Sequence, residues 1–442
     1  MRNRLSLVPL LYFVLVNPSI NAPVSAAPTP DEYRKLADEA EAALRHDVLG
    51  VWFPRCVNEQ RGGFDSSFDR QWRKKGESDP FIVFQARMTW ISATVAKRRP
   101  DLHDQYLKNA RHGFQFLKQH MTDAQDGGMF WELDRDLKPK GDGTKHAYGI
   151  SFGIYASAAE YDATGDQVAF DLALKTFRWF DDHAHDAKNG GYFETLARDG
   201  APLHLGTLDS PDPPMFVPGS FPVAYKSMNS HIHLLEAFTE LYRVSKDERV
   251  KQRLEETLHV VRDKIAVEPG CLNLFFTPDW RAVPDYDSFG HDIETAFLML
   301  EAAEQLGIPQ DPRTRKVSKQ IVDHALKWGW DEQYGGFYDK GAALERAHDL
   351  RKTWWVQFEG LNALLIMHEH FGREDEKYWD AFVKQWRFIQ DHQRDKEFGG
   401  YYAGVERDGT VKDFGKAQQW KAAYHDGRAL LTTADRLRAL AR

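Results

Sequence analysis

The feature that most constrains this chain is a turn that recurs. A Gly-Gly pair followed by large apolar or aromatic residues stands at Gly62-Gly63-Phe64, Gly127-Gly128-Met129-Phe130, Gly190-Gly191-Tyr192-Phe193, Gly335-Gly336-Phe337-Tyr338 and Gly399-Gly400-Tyr401-Tyr402. The second glycines are separated by 65, 63, 145 and 64 residues. The long interval is a little over two periods, and near its middle Gly270-Cys271-Leu272-Asn273-Leu274-Phe275-Phe276 reads as a degenerate sixth copy. A fixed period of this length means stacked supersecondary units, none of which buries its apolar face alone. Six units of about 65 residues fill the chain beyond residue 26.

Each unit pairs the turn with two helical patterns. Apolar residues recur at three- and four-residue spacing over 107–119, 167–183, 249–265, 315–328 and 377–392, just before a turn. A second set follows the turns, over 146–161, 230–244, 291–306, 355–371 and 425–440. Glycine pairs tolerate positive φ and aromatic residues suit short strands, so each turn reads as a hairpin. Two helices per unit and six units predict an all-α (α/α)6 barrel, a toroid with short β-hairpins between helices. An open superhelical solenoid is the alternative, and the six copies favour closure. In a toroid the second helix of each unit lines a central funnel, so polar residues heading those helices are the site candidates.

Residues 1–26 stand apart from the repeats. Arg2 and Arg4 precede an apolar run from Leu5 to Val16, and Val24-Ser25-Ala26 supplies small residues before a cleavage point. This reads as a signal peptide, with an uncleaved anchor as the alternative. The expectation is an exported protein, periplasmic or secreted, whose single catalytic domain spans 27–442. No later segment approaches the roughly 20 apolar residues of a membrane span. Cys56 and Cys271 are the only cysteines, so no disulfide framework holds the fold, and whether the two pair is not legible. With 58 Lys plus Arg against 66 Asp plus Glu, the net charge of -8 argues against nucleic acid as a partner. The 13 Trp suit either a large core or the C–H faces of a sugar. A monomer is expected.

The heads of the second helices carry a distinctive polar set. Asn229 and His233, four apart, share one helical face from which His231 diverges. His291 and Glu294 are aligned three apart, Trp354-Trp355 precedes Glu359, and Trp420 stands upstream of Tyr424-His425. Tyr148 begins an earlier helix, and Arg87 lies in Gln85-Ala86-Arg87-Met88-Thr89-Trp90. Because consecutive residues face about 100° apart on a helix, one of Trp354 and Trp355 is expected to pack while the other reaches the funnel. A single histidine at a helix start is usually a cap or a core residue. Three at equivalent repeat positions point to chemistry.

His231 and His233 diverge on a helix, and no His-Glu-x-x-His spacing occurs, so no metal is expected in catalysis. There is no phosphate loop, dinucleotide fingerprint or nucleophile elbow, and no cofactor is expected. Imidazoles suit proton abstraction. The C2 proton of an open-chain reducing sugar is acidified by the C1 carbonyl, and a neutral imidazole can remove it while a cation stabilises the enediolate. Two histidines on opposite faces of C2 permit epimerisation; delivery to C1 gives aldose-ketose isomerisation.

The stretches Lys226-Ser227-Met228-Asn229-Ser230-His231-Ile232-His233-Leu234-Leu235-Glu236-Ala237, Gly290-His291-Asp292-Ile293-Glu294, Trp354-Trp355-Val356-Gln357-Phe358-Glu359 and Trp420-Lys421 through Tyr424-His425 resemble the N-acylglucosamine 2-epimerase superfamily, most closely its cellobiose 2-epimerase branch. The resemblance covers nearly all of 27–442. It implies that His291 and His425 transfer the C2 proton and that His233 serves ring opening and binding. It also implies that Arg87 stands near the reacting oxygens, that Tyr148 and Asn229 contact the sugar, and that Glu294 supports the histidine of its motif. Trp354, Trp355 and Glu359 match the branch's tryptophan pair and acid, and Trp420 matches a platform for a second sugar.

Ala422-Ala423 departs from the bulkier residues or proline common there, and the leader departs from intracellular relatives. The implied function is a 2-epimerase acting on the reducing-end unit of a small-molecule sugar such as cellobiose, with mannobiose, lactose and free monosaccharides left open. Alternatives are an aldose-ketose isomerase on mannose or glucose, an (α/α)6 glycoside hydrolase, which needs two carboxylates at hydrolytic separation, and a non-catalytic sugar binder.

Overall fold

The computed structural model describes residues 27–203, 226–283 and 285–442. The proposed leader therefore lies outside the described residues. Twelve helices of twelve or more residues carry the architecture among those described. They are α1 (Pro30–Ala43), α2 (Ile82–Arg98), α3 (His103–Phe116), α4 (Ala147–Thr164), α5 (Gln167–Ala184), α6 (Met228–Ser245), α7 (Glu248–Val260), α8 (Phe289–Gln305), α9 (Pro312–Trp328), α10 (Trp354–Phe371), α11 (Lys377–Phe388) and α12 (His425–Leu440). None is long and apolar enough to cross a membrane.

The even-numbered helices form the inner ring and the odd-numbered ones the outer ring, each inner helix packing on its own outer partner. Burial separates the two sets. In α4 every residue from Ala147 to Glu160 is buried. The outer α9 buries only Thr314, Ser318, Ile321, Val322, His324 and Ala325, a stripe at three- and four-residue spacing. Aspartates cap outer helices. Asp166, Asp247 and Asp311 accept backbone N–H groups of the first turns of α5, α7 and α9, leaving fewer orphan donors there. The ring closes where α1, first in the chain, becomes the outer partner of α12, last in the chain. Arg34 donates to the Ala441 carbonyl at 3.0 Å across that seam. The expectation of a closed toroid rather than an open solenoid is met.

The Gly-Gly hairpins are built alike. The bridging pairs Val57–Phe64, Thr122–Met129, His185–Tyr192, Trp330–Phe337 and Arg394–Tyr401 each enclose the two glycines, all ten of which have positive φ between 67° and 89°. Five residues before each second glycine stands Asn58, Asp123, Asp186, Asp331 or Asp395, whose Oδ1 accepts two N–H groups of the turn. The four aspartates pair with fully buried lysines, Lys145 to Asp123 at 3.2 Å, Lys226 to Asp186 at 2.8 Å, Lys352 to Asp331 at 2.9 Å and Lys416 to Asp395 at 2.9 Å. A buried charge persists only when paired, so these lysines fix each hairpin against the ring. The sixth copy is a hairpin too, with Ala266 paired to Leu272 and Val267 to Cys271, but it is one residue tighter and lacks the turn aspartate. Cys56 and Cys271 are both free and buried.

Candidate active site

Each unit delivers the head of its inner helix to the same end of the ring, and the predicted residues meet there. A cavity of about 160 Å³ is lined by Arg87 from α2, Tyr148 from α4, Asn229 and His233 from α6, His291 and Glu294 from α8, Trp354 and Trp355 from α10, Trp420, and His425 from α12. Ten of the eleven predicted residues therefore share one wall. The eleventh, Glu359, is buried beneath it and touches the cavity only through His425.

Polarity is graded with depth. His291, Trp355 and Trp420 are mostly buried but keep an edge open to solvent, whereas Arg87, Tyr148, His233, Glu294 and His425 are buried. Arg87 Nη2 donates to the Tyr148 hydroxyl at 2.8 Å, and its guanidinium lies over the Phe152 ring at 4.5 Å and the Tyr424 ring at 4.8 Å. Arg87 Nε, Asn229 Oδ1 and Glu294 Oε2 are buried with no hydrogen-bond partner in the protein. Orphaned polar atoms around a cavity are what a polyhydroxylated ligand satisfies.

Each histidine has its Nδ1 engaged. His425 Nδ1 donates to Glu359 Oε1 at 2.5 Å and His233 Nδ1 donates to Glu236 Oε2 at 3.0 Å. Because carboxylates only accept, the Nε2 atoms of these imidazoles are left as lone-pair bases in the neutral form. His291 Nδ1 sits 2.6 Å from Ser288 Oγ. Trp355 lies between the two proton-transfer candidates, its ring centroid 4.8 Å from that of His291 and 5.7 Å from that of His425. Burial pushes the His291 imidazolium down to about 4, Glu294 opposing and His233 and Arg87 assisting. Burial and the Arg87 and Arg428 cations hold His425 well below the usual histidine range.

One expectation needs correction and another is met in part. Glu294 does not hold the histidine of its own motif: its Oε1 accepts from Arg428 Nη2, and Ser288 takes the Nδ1 of His291. Trp354 packs in the core at 6% exposure and Trp355 is partly exposed, as expected, but Trp354 also lines the cavity. They are the first two residues of α10, at the end of the helix that faces the cavity.

The residue not singled out is Arg428. Its guanidinium is buried and contacts Glu236, Glu294 and Glu359 together, with Glu359 Oε2 at 2.7 Å from Nη2. Its Nη1 also donates to the Tyr424 hydroxyl at 2.8 Å, and that hydroxyl donates to Glu236. Two of these carboxylates hold a histidine, so Arg428 ties the supports of His233 and His425 into one unit. Glu236 is held down to about 2 against its burial, chiefly by Arg428 and His233. Burial lifts Glu359 above the ordinary carboxylate range, against the pull of Arg428. The spacing was a signal: His233 and Glu236, His291 and Glu294, and His425 and Arg428 are each three apart on an inner helix. Glu294, Glu359 and His425 could also ligate a cation by proximity, but the Arg428 guanidinium already touches both carboxylates.

His231 faces away from the cavity, as its helical phase predicts. Its Nδ1 donates to the Ser227 carbonyl at 2.6 Å, and its Nε2 accepts the Tyr192 N–H of the hairpin at 3.0 Å. In two other units glutamine does this work: Gln85 accepts from Phe64 N at 2.8 Å and Gln357 from Phe337 N at 3.1 Å. His231→Gln is therefore expected to keep turnover unchanged and to shift stability by less than about 1 kcal/mol. Initial rates and a denaturation midpoint check this; lost turnover in a folded variant contradicts it.

Fold and site together define an (α/α)6 toroid with a histidine-lined cavity at one end of the ring. The chain belongs to the N-acylglucosamine 2-epimerase (GlcNAc 2-epimerase) family, whose sequence pattern matches residues 62–429. Cellobiose 2-epimerase from Bacteroides fragilis is 30% identical over 404 residues, covering 89% of this chain and 97% of that one. The structure of cellobiose 2-epimerase from Spirochaeta thermophila superposes with a TM-score of 0.80 at 30% identity, covering 93% of this chain and 99% of that one. D-mannose isomerase from Marinomonas mediterranea is 24% identical over 405 residues, covering 86% of this chain and 92% of that one. The chain is an enzyme of the isomerase class.

Proposed function

We propose that this enzyme interconverts the glucose and mannose forms of the reducing-end unit of a β-1,4 disaccharide such as cellobiose. The observation that carries the reading is the placement of His291 and His425. They head α8 and α12, which are separated in the inner ring by α10, and they converge on one cavity from either side of Trp355. Two bases approaching a single carbon from two directions are what inversion at C2 requires. Among the described residues the cavity is lined by one carboxylate, Glu294, bound to Arg428, rather than by the carboxylate pair of a glycosidase.

The steps follow from the contacts. Ring opening moves the O1 proton to a base and protonates O5 as the C1–O5 bond breaks, and His233, on the cavity floor with its Nε2 free of Glu236, serves this step. One imidazole then removes the C2 proton, and the electron pair passes to the C1 oxygen, where the Arg87 cation opposes the enediolate charge. An imidazolium on the other face returns a proton to C2. Three carboxylates, Glu236, Glu294 and Glu359, face two guanidinium groups, Arg87 and Arg428, so the cluster favours an imidazolium among its histidines. The partly exposed Trp420 at the mouth offers its ring to the second sugar.

A further proton on His291 or His425 is opposed by burial, so the base survives acidification that protonates an ordinary histidine. The acid limb of kcat/KM is expected to have its midpoint below about pH 6 rather than at 6.5 or above. A pH-rate profile on cellobiose tests this, and a midpoint near 7 contradicts it.

A further inference from the structure

Besides its tighter turn and missing turn aspartate, the sixth repeat copy carries potential metal ligands at three scaffold positions. Two residues before the inner helix, three other units carry fully buried lysines: Lys145 before α4, Lys226 before α6 and Lys352 before α10. Before α8 that place is Asp287. The fourth residue of the inner helix is Gln85 in α2, His231 in α6 and Gln357 in α10, but Asp292 in α8. The second glycine of the hairpin is replaced by Cys271. Gly270, at φ 128°, packs so closely on α9 that a Cβ there would meet the Gln320 carbonyl at 2.5 Å. That approach sets Cys271 beside His324.

Among the described residues, these groups converge with no lysine or arginine paired to either carboxylate, the one titratable cation beside them being His324. Asp287, Asp292, His324 and Cys271 are 3%, 0%, 4% and 6% exposed. None of the four carboxylate oxygens makes a hydrogen bond of acceptable geometry; the two carboxyls face each other, with the backbone N–H groups of Ser288 and Leu272 beside them. His324 Nε2 contacts the Ala343 carbonyl, which can only accept, so Nε2 carries a proton and the unpartnered Nδ1 is the atom free to ligate. That Nδ1 stands 3.7 Å from Asp287 Oδ2 and 3.8 Å from Asp292 Oδ2. These separations are too long for hydrogen bonds. They are close to the roughly 3.3–3.7 Å between ligand atoms around a tetrahedral ion with bonds of about 2.0–2.3 Å. The donor atoms of Cys271, Asp287 and His324 all lie within 4.8 Å of one another. Burial raises Asp287 against the pull of His324 and Asp292, and burial together with the charge of Asp287 raises Asp292.

We propose that Cys271, Asp287, Asp292 and His324 bind one zinc ion, which pins the hairpin and α9 to the head of α8. The mixed sulfur, nitrogen and oxygen set suits zinc and disfavours calcium or magnesium, and the contact of Nε2 with a carbonyl is the outer support that metal-bound imidazoles usually have. Entry of the ion releases the thiol proton to solvent and supplies the positive charge that lysine brings to the other units. Burial means that the ion is taken up as the chain folds. None of the four ligands lines the reacting cavity, so the ion acts on structure, and the proposal stands apart from the choice of substrate.

The test uses the full chain produced with zinc in the medium and freed of loose metal by gel filtration. Elemental analysis is expected to find about one zinc per chain in the wild type and in Cys56→Ser, and below about a tenth in Cys271→Ser and His324→Ala. Cobalt supplied in place of zinc is expected to give a thiolate-to-cobalt absorption band in the wild type that Cys271→Ser lacks. A folded, zinc-exposed wild type carrying less than about a tenth of an ion overturns the proposal, and so does full zinc content in either ligand variant. Should those variants fail to fold, the wild-type zinc content and cobalt spectrum decide alone.

Discussion

His291→Asn and His425→Asn each lose at least about a hundredfold in epimerisation, the scale on which positioned acid-base groups act. The two losses differ in kind. From one epimer, the variant that keeps the abstracting base still exchanges the C2 proton with deuterated solvent without inverting the centre; from the other epimer the roles swap. Asparagine preserves a polar side chain of similar reach, so what is removed is the proton carrier. For His425 the change also strips Glu359 of its 2.5 Å donor, leaving the carboxylate to Arg428. Rates with cellobiose and with its epimer, alongside circular dichroism to establish folding, measure the effect. Full activity of His425→Asn contradicts the assignment.

Arg428→Met produces the largest loss of stability. The guanidinium is the shared counter-charge of Glu236, Glu294 and Glu359, all buried. Removing one partner of a buried ion pair costs about 3–5 kcal/mol because the remaining charge is stranded, and here three carboxylates lose the same partner. Partial relief comes from protonation, so the destabilisation is expected to shrink as pH falls toward 5, where Glu359, already lifted by burial, takes up a proton first. Arg428→Lys is no rescue, since an ammonium cannot present a planar fork to three acceptors. Denaturant midpoints at pH 7.5 and pH 5 test both statements; a loss under about 1 kcal/mol at pH 7.5 contradicts them.

The architecture was legible because its punctuation is chemical. Five Gly-Gly pairs at one period mark backbone that other residues adopt poorly, and the helical patterns between them are long and regular. The first two helices had no such frame. α1 precedes the first glycine pair, and α2 follows it over 17 residues of which 14 are buried, so little amphipathic period marks its limits. The cavity wall was legible for a related reason: repeat geometry carries every inner helix head to one mouth, so equivalent positions become neighbours. Contacts beneath the wall were not. Arg428 meets carboxylates from α6, α8 and α10, and its separations of 192, 134 and 69 residues from Glu236, Glu294 and Glu359 leave no local pattern except the three-residue spacing from each helix's histidine. The lysine-aspartate pairs behind the hairpins escaped notice in the same way, since an isolated Lys352 reads as surface until its 0% exposure is seen.

The central claim is that a proton leaves and returns at C2 of the reducing-end sugar. Its most direct measurement is incubation of the wild-type enzyme with cellobiose in deuterated water, followed by proton and carbon NMR of the products. The account predicts a disaccharide of unchanged length whose reducing end has become mannose and carries solvent deuterium at C2. A product bearing deuterium at C1 as a ketose shifts the activity to aldose-ketose isomerisation, and release of glucose, or a mannose unit that keeps its C2 protium throughout, contradicts the account.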